Sequence, residues 1–263
     1  MRVALLGSAS ALCTAERDNT ALVVETHGAV LLIDCTGSPA KKLLQLGFDY
    51  MRIDYILLTH WHPDHIYGLP SLLHEMLLLH RTRPLTLFLP RSSQRIIEPF
   101  VRALFVDMNS MFEIRFRPVE MAENVQLIDG DGYRVYSTPV IHSDDTLAYK
   151  VVEGKHAGES AHEVSFAYSS DTKPSESLIR LAQGADLLVH ECTYLEGEPA
   201  AVETTHSNAR QVGVLAARAG VKQLALVHLG VEVIKQPEAA VKQVQENYWG
   251  QVVVGKDLME FEF

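Results

Sequence analysis

A layered α/β architecture, sheets covered by helices, is what this sequence predicts, and three observations predict it. Short apolar runs bounded by Gly, Pro or Asp recur along the whole chain. Helical periodicity fills some of the intervals between them. Strand-like runs dominate the first third, whereas strands and helices alternate later. The 263 residues are enough to bury a substantial core, and 47% hydrophobic with 21% charged residues is ordinary for a globular chain.

In chain order, strands are expected at residues 3–6, 21–25, 30–33, 55–58, 85–89, 133–137, 147–152, 164–168, 187–189, 224–227 and 258–261. Each is a short run rich in Val, Ile, Leu or Tyr. Helices are expected at 40–46, 69–80, 93–106, 176–183, 208–219 and 237–246. Two of these have starts with a physical reason. Ser207 or Asn208 can accept a hydrogen bond from the first-turn amides, and Pro237 suits a first turn, where its missing N–H costs nothing. No internal repeat, low-complexity tract or linker interrupts the pattern.

Composition excludes several classes of function. No apolar run approaches the roughly 20 residues that span a bilayer. Residues 1–7 lack the long apolar core and cleavage site of a signal peptide and read as a first strand, so the expected location is cytoplasmic. Three scattered cysteines, Cys13, Cys35 and Cys192, make neither a disulfide framework nor a Cys-rich zinc knuckle; they read as small semi-buried thiols in a reducing compartment. The net charge of −10 opposes a phosphate backbone. Arg81, Arg83, Arg91, Arg95 and Arg102 form the one basic grouping, read here as a solvated helix face.

Chemistry concentrates after the strand at 55–58. His60-Trp61-His62-Pro63-Asp64-His65 places four metal-ligand side chains within six residues. Alternate residues of an extended segment project to one side, so His60 and His62 can share a centre. Asp64 and His65 follow where the chain turns toward a helix and can face a second position. Imidazole and carboxylate suit zinc, with manganese or iron as substitutes. A polar loop with an incidental histidine accounts for one His, not for three with an Asp at this spacing.

The H-x-H-x-D-H run resembles the signature of the metallo-β-lactamase superfamily, and the likeness extends along nearly the whole chain. It implies a single αβ/βα four-layer sandwich over residues 1–263, with a dinuclear site at one edge and further ligands at strand ends. His142 in T-P-V-I-H-S, Asp171 in Y-S-S-D-T and His228 in A-L-V-H-L-G occur in the required order. Carried over by that resemblance, one ion, most readily Zn2+, is held by His60, His62, His142 and Asp171. The other is held by Asp64, His65, His228 and the bridging Asp171, with a hydroxide between the ions as nucleophile.

Within the superfamily the chain is similar to the ribonuclease Z-like branch. Leu32-Ile33-Asp34-Cys35 resembles its L-I-D-C-G strand end, with Thr36 in place of Gly. His190-Glu191-Cys192-Thr193 resembles H-E-A-T, His206-Ser207-Asn208-Ala209 resembles H-S-T-A, and Asp257-Leu258-Met259-Glu260 resembles its terminal D-L-x-E. The resemblance gives His206 a place beside the metals as proton donor to the leaving oxygen, with Glu191 orienting it and Asp64 as a further catalytic carboxylate. His190 reads as structural; His27, His74, His80, His156 and His162 match nothing.

One departure bears on the substrate. Transfer-RNA-processing members of the branch carry a long arm between the His and Asp ligands. Here 28 residues separate His142 from Asp171, and two strands with a turn at 154–163 use nearly all of them. The expected activity is therefore that of a dinuclear metal-dependent phosphodiesterase on a small diester, a cyclic nucleotide or cyclic phosphate. The alternatives are an RNA 3′-processing endonuclease of the ribonuclease Z type, an arylsulfatase-like ester hydrolase, and a non-catalytic binding protein on the same fold. RNA and membrane partners are disfavoured, a β-lactam substrate is disfavoured by Asp64, and a homodimer is compatible with the sequence.

Overall fold

A computed structural model describes residues 1–105, 112–154, 163–198 and 205–263. Its framework is two seven-stranded sheets. The first contains β1 (Arg2–Gly7), β2 (Ala21–Thr26), β3 (Ala29–Ile33), β4 (Ile53–Leu57), β5 (Leu85–Pro90), β6 (Ile114–Val119) and the last strand, β14 (Glu260–Glu262), which pairs beside β1. The second contains β7 (Val125–Gly130), β8 (Tyr133–Val140), β9 (Thr146–Glu153), β10 (Val164–Tyr168), β11 (Leu187–Glu191), β12 (Gln223–Val227) and β13 (Gln251–Val254), in the reverse of chain order.

Strand periodicity explains how these sheets stack. Val3 and Leu5 face one way and Ala4 and Leu6 the other; Leu31 and Ile33 oppose Val30 and Leu32; Leu187 and Val189 oppose Leu188. One set from each sheet meets in a central core between the sheets. The opposite set of the first sheet packs under α1 (Pro39–Gln45), α3 (Leu69–Leu78) and α4 (Arg91–Leu104). That of the second packs under α5 (Glu176–Ala182), α6 (Ala209–Ala219) and α8 (Pro237–Gln245). Three cores separate four layers, which is the α/β layering the sequence predicts and the αβ/βα sandwich the family resemblance implies. Burial on both faces also explains why the strands read as continuous apolar runs rather than alternating ones. Each fully buried Leu or Ile contributes roughly 1.5–3 kcal/mol.

Asn208 is the residue that caps α6: its side chain accepts from Gln211 N at 3.0 Å while Gln211 accepts from Asn208 N, and Gly220, at φ 63°, ends the helix left-handed. Pro237 opens α8.

The sequence reading omits β6, β7, β13 and two short helices, α2 (Pro63–Ile66) and α7 (Val231–Lys235). β6 carries Arg115, Arg117 and Pro118, residues that an edge strand tolerates. The last strand begins at Glu260 rather than 258, because Leu258 adopts φ 64°. Val106, His156, His162 and most of the 154–163 turn lie outside the described residues.

Arg81 requires a correction. It is not on a solvated helix face: it is 6% exposed, and its guanidinium donates to the carbonyls of Met51, Ile53, Arg83 and Pro84. Arg83, Arg91, Arg95 and Arg102 are exposed as expected. Cys35 and Cys192 are buried, Cys13 is exposed, and all three are free. No described helix is long and apolar enough to cross a membrane.

Candidate metal centre

The parallel strands β3 and β4 of one sheet and β10, β11 and β12 of the other end at a common edge of the sandwich. Ligands collect at such carboxyl ends in α/β proteins. Asp34, Ser170 and His228 lie just past three of these strands with φ of 58°, 57° and 49°. Non-glycine residues there cost roughly 1–3 kcal/mol each and need surrounding contacts to hold them.

Two sets of donors meet at this edge. His60, His62 and His142 form one; Asp64, His65, Asp171 and His228 form the other, the ligand atoms within each set lying within 4.8 Å of one another. His62 Nδ1 is 2.9 Å from His60 Nε2 and 3.4 Å from His142 Nε2. In the second set Asp171 Oδ2 is 3.3 Å from His65 Nε2 and 3.1 Å from His228 Nε2, and Asp64 Oδ2 is 3.6 and 3.5 Å from the same two nitrogens. Asp171 also groups with His142 and His206, so its carboxylate stands between the sets. All seven ligands proposed from sequence are brought together.

The outer nitrogens explain how each ring is aimed. His60 Nδ1 lies 3.0 Å from Thr59 Oγ1, His65 Nδ1 2.8 Å from Asp34 Oδ2, His142 Nδ1 3.1 Å from the Thr205 carbonyl and His228 Nδ1 3.0 Å from Thr193 Oγ1. Those four rings turn Nε2 inward. His62 is reversed: Asp144 takes its Nε2 at 3.0 Å, leaving Nδ1 inward. Such partners set tautomer and orientation in metal sites. Asp34 is fixed in turn by Thr59, whose N and Oγ1 donate to it at 2.9 and 3.0 Å.

The donor set fits divalent cations. Asp171 Oδ1, His65 Nε2 and His228 Nε2 are sealed from solvent without a hydrogen-bond partner. Buried polar atoms are seldom left so, and three converging on one place leave room for a shared electrophile. Burial lowers the His60 pKa well below the usual imidazole range, with repulsion from His65 adding to it, and burial lowers His142 as well, so both present neutral lone pairs. Burial alone would raise Asp171, but its imidazole neighbours His228 and His65 outweigh it and hold the carboxyl well below its usual range.

His65 behaves oppositely. Burial disfavours its cation, yet Asp171 and Asp34 outweigh burial and push the pKa well above the ordinary value. The metal-free protein therefore carries a proton that a metal-binding imidazole must lose. Zinc uptake at pH 7 is expected to release protons, and affinity is expected to rise with pH. Titration calorimetry in buffers of different ionisation enthalpy measures this; uptake with no proton released would show that His65 binds no metal.

His206 sits across both sets. Its ring stacks on His228 at 5.3 Å between centroids and lies 5.1 Å from His142. Its Nδ1 is 2.9 Å from Glu191 Oε1. Burial works against protonation, but the hydrogen bond and charge of Glu191 prevail, and the His206 pKa is raised to about 9. His190 is buried against its neighbour's carbonyl at 2.6 Å and joins none of these groups. His27, His74 and His80 also stand outside them.

Sequence reasoning missed the partners: Thr59, Asp144 and Thr193, and the role of Asp34. Asp34 and Thr193 lie inside recognised motifs, so their positions carried a signal. Asp144 lies 82 residues from His62 and carried none.

A family model described as anti-Pycsar protein Apyc1 matches residues 1–243. The ribonuclease Z of Halorubrum lacusprofundi is 28% identical in an alignment covering the whole chain and 98% of that protein. The ribonuclease Z of Salinibacter ruber is 33% identical over 85% of this chain and 83% of its own. The metallo-β-lactamase fold protein YhfI of Bacillus subtilis superposes with a TM-score of 0.77 at 20% identity, over 99% of this chain and 98% of that one. The first alignment runs over 308 positions against 263 residues here, so 45 have no counterpart in this chain.

Proposed function

This chain belongs to the family of the anti-Pycsar protein Apyc1, in the ribonuclease Z-like branch of the metallo-β-lactamase superfamily, and we propose that the bonds it hydrolyses are phosphodiesters. It is a metal-dependent hydrolase. The observation that carries the proposal is the meeting of two ligand sets on Asp171 beside a histidine held by a buried carboxylate.

In this reading His60, His62 and His142 would hold one divalent cation and Asp64, His65 and His228 the other, with Asp171 placed to serve both sets. Zinc matches the donors best, and such ions would supply a deprotonated water at neutral pH and offset charge on phosphoryl oxygens. His206 is the proton donor. Glu191 occupies its Nδ1, so the transferable proton is on Nε2, and a pKa of about 9 keeps that proton in place at neutral pH.

Two substrate classes divide on different observations. A small diester, a cyclic nucleotide or cyclic phosphate, is supported by the short interval between His142 and Asp171 and by the net charge of −10. RNA 3′-processing is supported by the names of the curated relatives, ribonuclease Z, which fit it better than they fit a small diester. Against an arylsulfatase-like activity or a non-catalytic role, the expected result is direct. Chelator-stripped protein should lose hydrolysis of bis-p-nitrophenyl phosphate and regain it with Zn2+, while p-nitrophenyl sulfate stays slow. A fully metal-loaded protein inert toward every phosphodiester would overturn the reading.

A further inference from the structure

Glu191 is anchored more heavily than the orientation of one histidine requires. It is fully buried. Its Oε1 accepts from His206 Nδ1 at 2.9 Å, Thr172 N at 3.0 Å and Ser207 N at 3.1 Å; its Oε2 accepts from Thr193 N at 3.1 Å and Thr193 Oγ1 at 2.8 Å. The last of these contacts continues to the metal centre, because Thr193 Oγ1 also lies 3.0 Å from His228 Nδ1.

A hydroxyl has one hydrogen to give. Thr193 Oγ1 has three neighbours: the Glu191 carboxylate at 2.8 Å, His228 Nδ1 at 3.0 Å and the His228 carbonyl at 3.2 Å. A carboxylate is the strongest acceptor of the three and the nearest. If the hydrogen went to His228 instead, two oxygen lone pairs would face each other at 2.8 Å with nothing between them, one of them anionic. The hydrogen therefore points to Glu191, and the hydroxyl oxygen accepts from His228 Nδ1–H. That hydrogen on Nδ1 leaves the Nε2 lone pair for the interior of the site, where Nε2 lies 3.1 Å from Asp171 Oδ2 and has no hydrogen-bond partner.

We propose that Thr193 is a positioning residue of the metal centre: its hydroxyl, backed by Glu191, holds His228 in the tautomer that presents Nε2 to a cation. One buried carboxylate then secures both His206 directly and His228 through a single hydroxyl. The contrast with His65 is instructive, since Asp34 grips that ring with no intermediary. The proposal rests on the reading of His228 as a metal ligand.

The test is competitive metal titration of chelator-stripped protein, with Zn2+ for affinity and Co2+ for its absorption spectrum. Thr193→Val keeps the shape and removes the hydroxyl. It is expected to weaken one of two ions by 10–100-fold, as loss of a ligand's hydrogen-bonding partner does, with the other unchanged and the cobalt spectrum altered. Thr193→Ala removes the same hydroxyl and carries the same expectation should the valine variant fold poorly. Thr193→Ser restores affinity to within about threefold, a rescue that a purely packing role would not produce. Wild-type affinity for both ions in the valine and alanine variants, or a serine variant no better than they are, would overturn the proposal. His228→Ala is the separate control: it is expected to lose one ion outright, and if it keeps both, the ligand reading of His228 is what has failed.

Discussion

Asp171→Ala is expected to strip the protein of metal and to lower kcat/KM by 10⁴-fold or more, a loss of about 5.5 kcal/mol of transition-state stabilisation. Asp171 is 2% exposed and lies against both donor sets, with one oxygen within 3.3 Å of His65 and His228. Without it, five imidazoles and Asp64 face a pair of dications with a single carboxylate among them, and neither ion keeps its full set of ligands. His206→Ala should behave differently. It removes a proton donor and no proposed ligand, so metal content stays at the wild-type level while turnover falls by roughly 10²–10⁴-fold. The fall should be smaller for a p-nitrophenolate leaving group, which departs without protonation, than for an alkoxide. Elemental analysis beside kcat on two leaving groups reads all of this. His206 also groups with His142 and Asp171; if His206→Ala loses metal as Asp171→Ala does, His206 is a ligand and its assignment as proton donor is wrong.

Much of the centre is legible in sequence because four of its donors follow one strand. β4 delivers His60, His62, Asp64 and His65 in six residues, and local chain geometry alone suffices to separate them into two directions. His142 and His228 each directly follow an apolar run and Asp171 follows one after two serines, patterns that chance also produces; only the family resemblance selected them. The tautomers are beyond local reasoning. They depend on contacts such as His62 with Asp144, 82 residues away, and His228 with Thr193, 35 away. Arg81 fails for the same reason: an arginine beside Arg83 reads as solvated until the carbonyls of Met51 and Ile53 fold over it. Among the strands, those missed are edges or near edges. In β6 and β7 exposed polar residues alternate with partly buried ones and break the apolar run on which the reading relied, whereas β13 is only four residues, three valines after an exposed Gln251, with partners in two cores.

Substrate size provides the second large effect. Between the proposed ligands His142 and Asp171, β9 and β10 pair directly, Glu153 opposite Val164, so only residues 154–163 connect them. An arm able to grip a folded RNA does not fit in ten residues of connection, and 45 positions of the Halorubrum ribonuclease Z alignment are unmatched here. With a net charge of −10 the long-range field repels a polyanion as well. A precursor tRNA would then gain little from its body, and its kcat/KM at moderate salt should exceed that of a 2′,3′-cyclic nucleotide by no more than about tenfold, or 1.4 kcal/mol. The converse result is equally informative. A preference for tRNA of more than about a thousandfold, roughly 4 kcal/mol, would decide for the RNA-processing reading that the relatives' names favour. It would also require a clamp elsewhere, and α4 is where it would lie. Ser92 at its start donates to Asp145 at 2.8 Å, three residues past His142, and Arg91 and Arg95 stand exposed beside it, whereas Arg102 is already paired with Glu98. In that event Arg91→Ala and Arg95→Ala should lower tRNA cleavage and its salt dependence while leaving the cyclic nucleotide untouched, because only a substrate long enough to reach α4 would feel their loss.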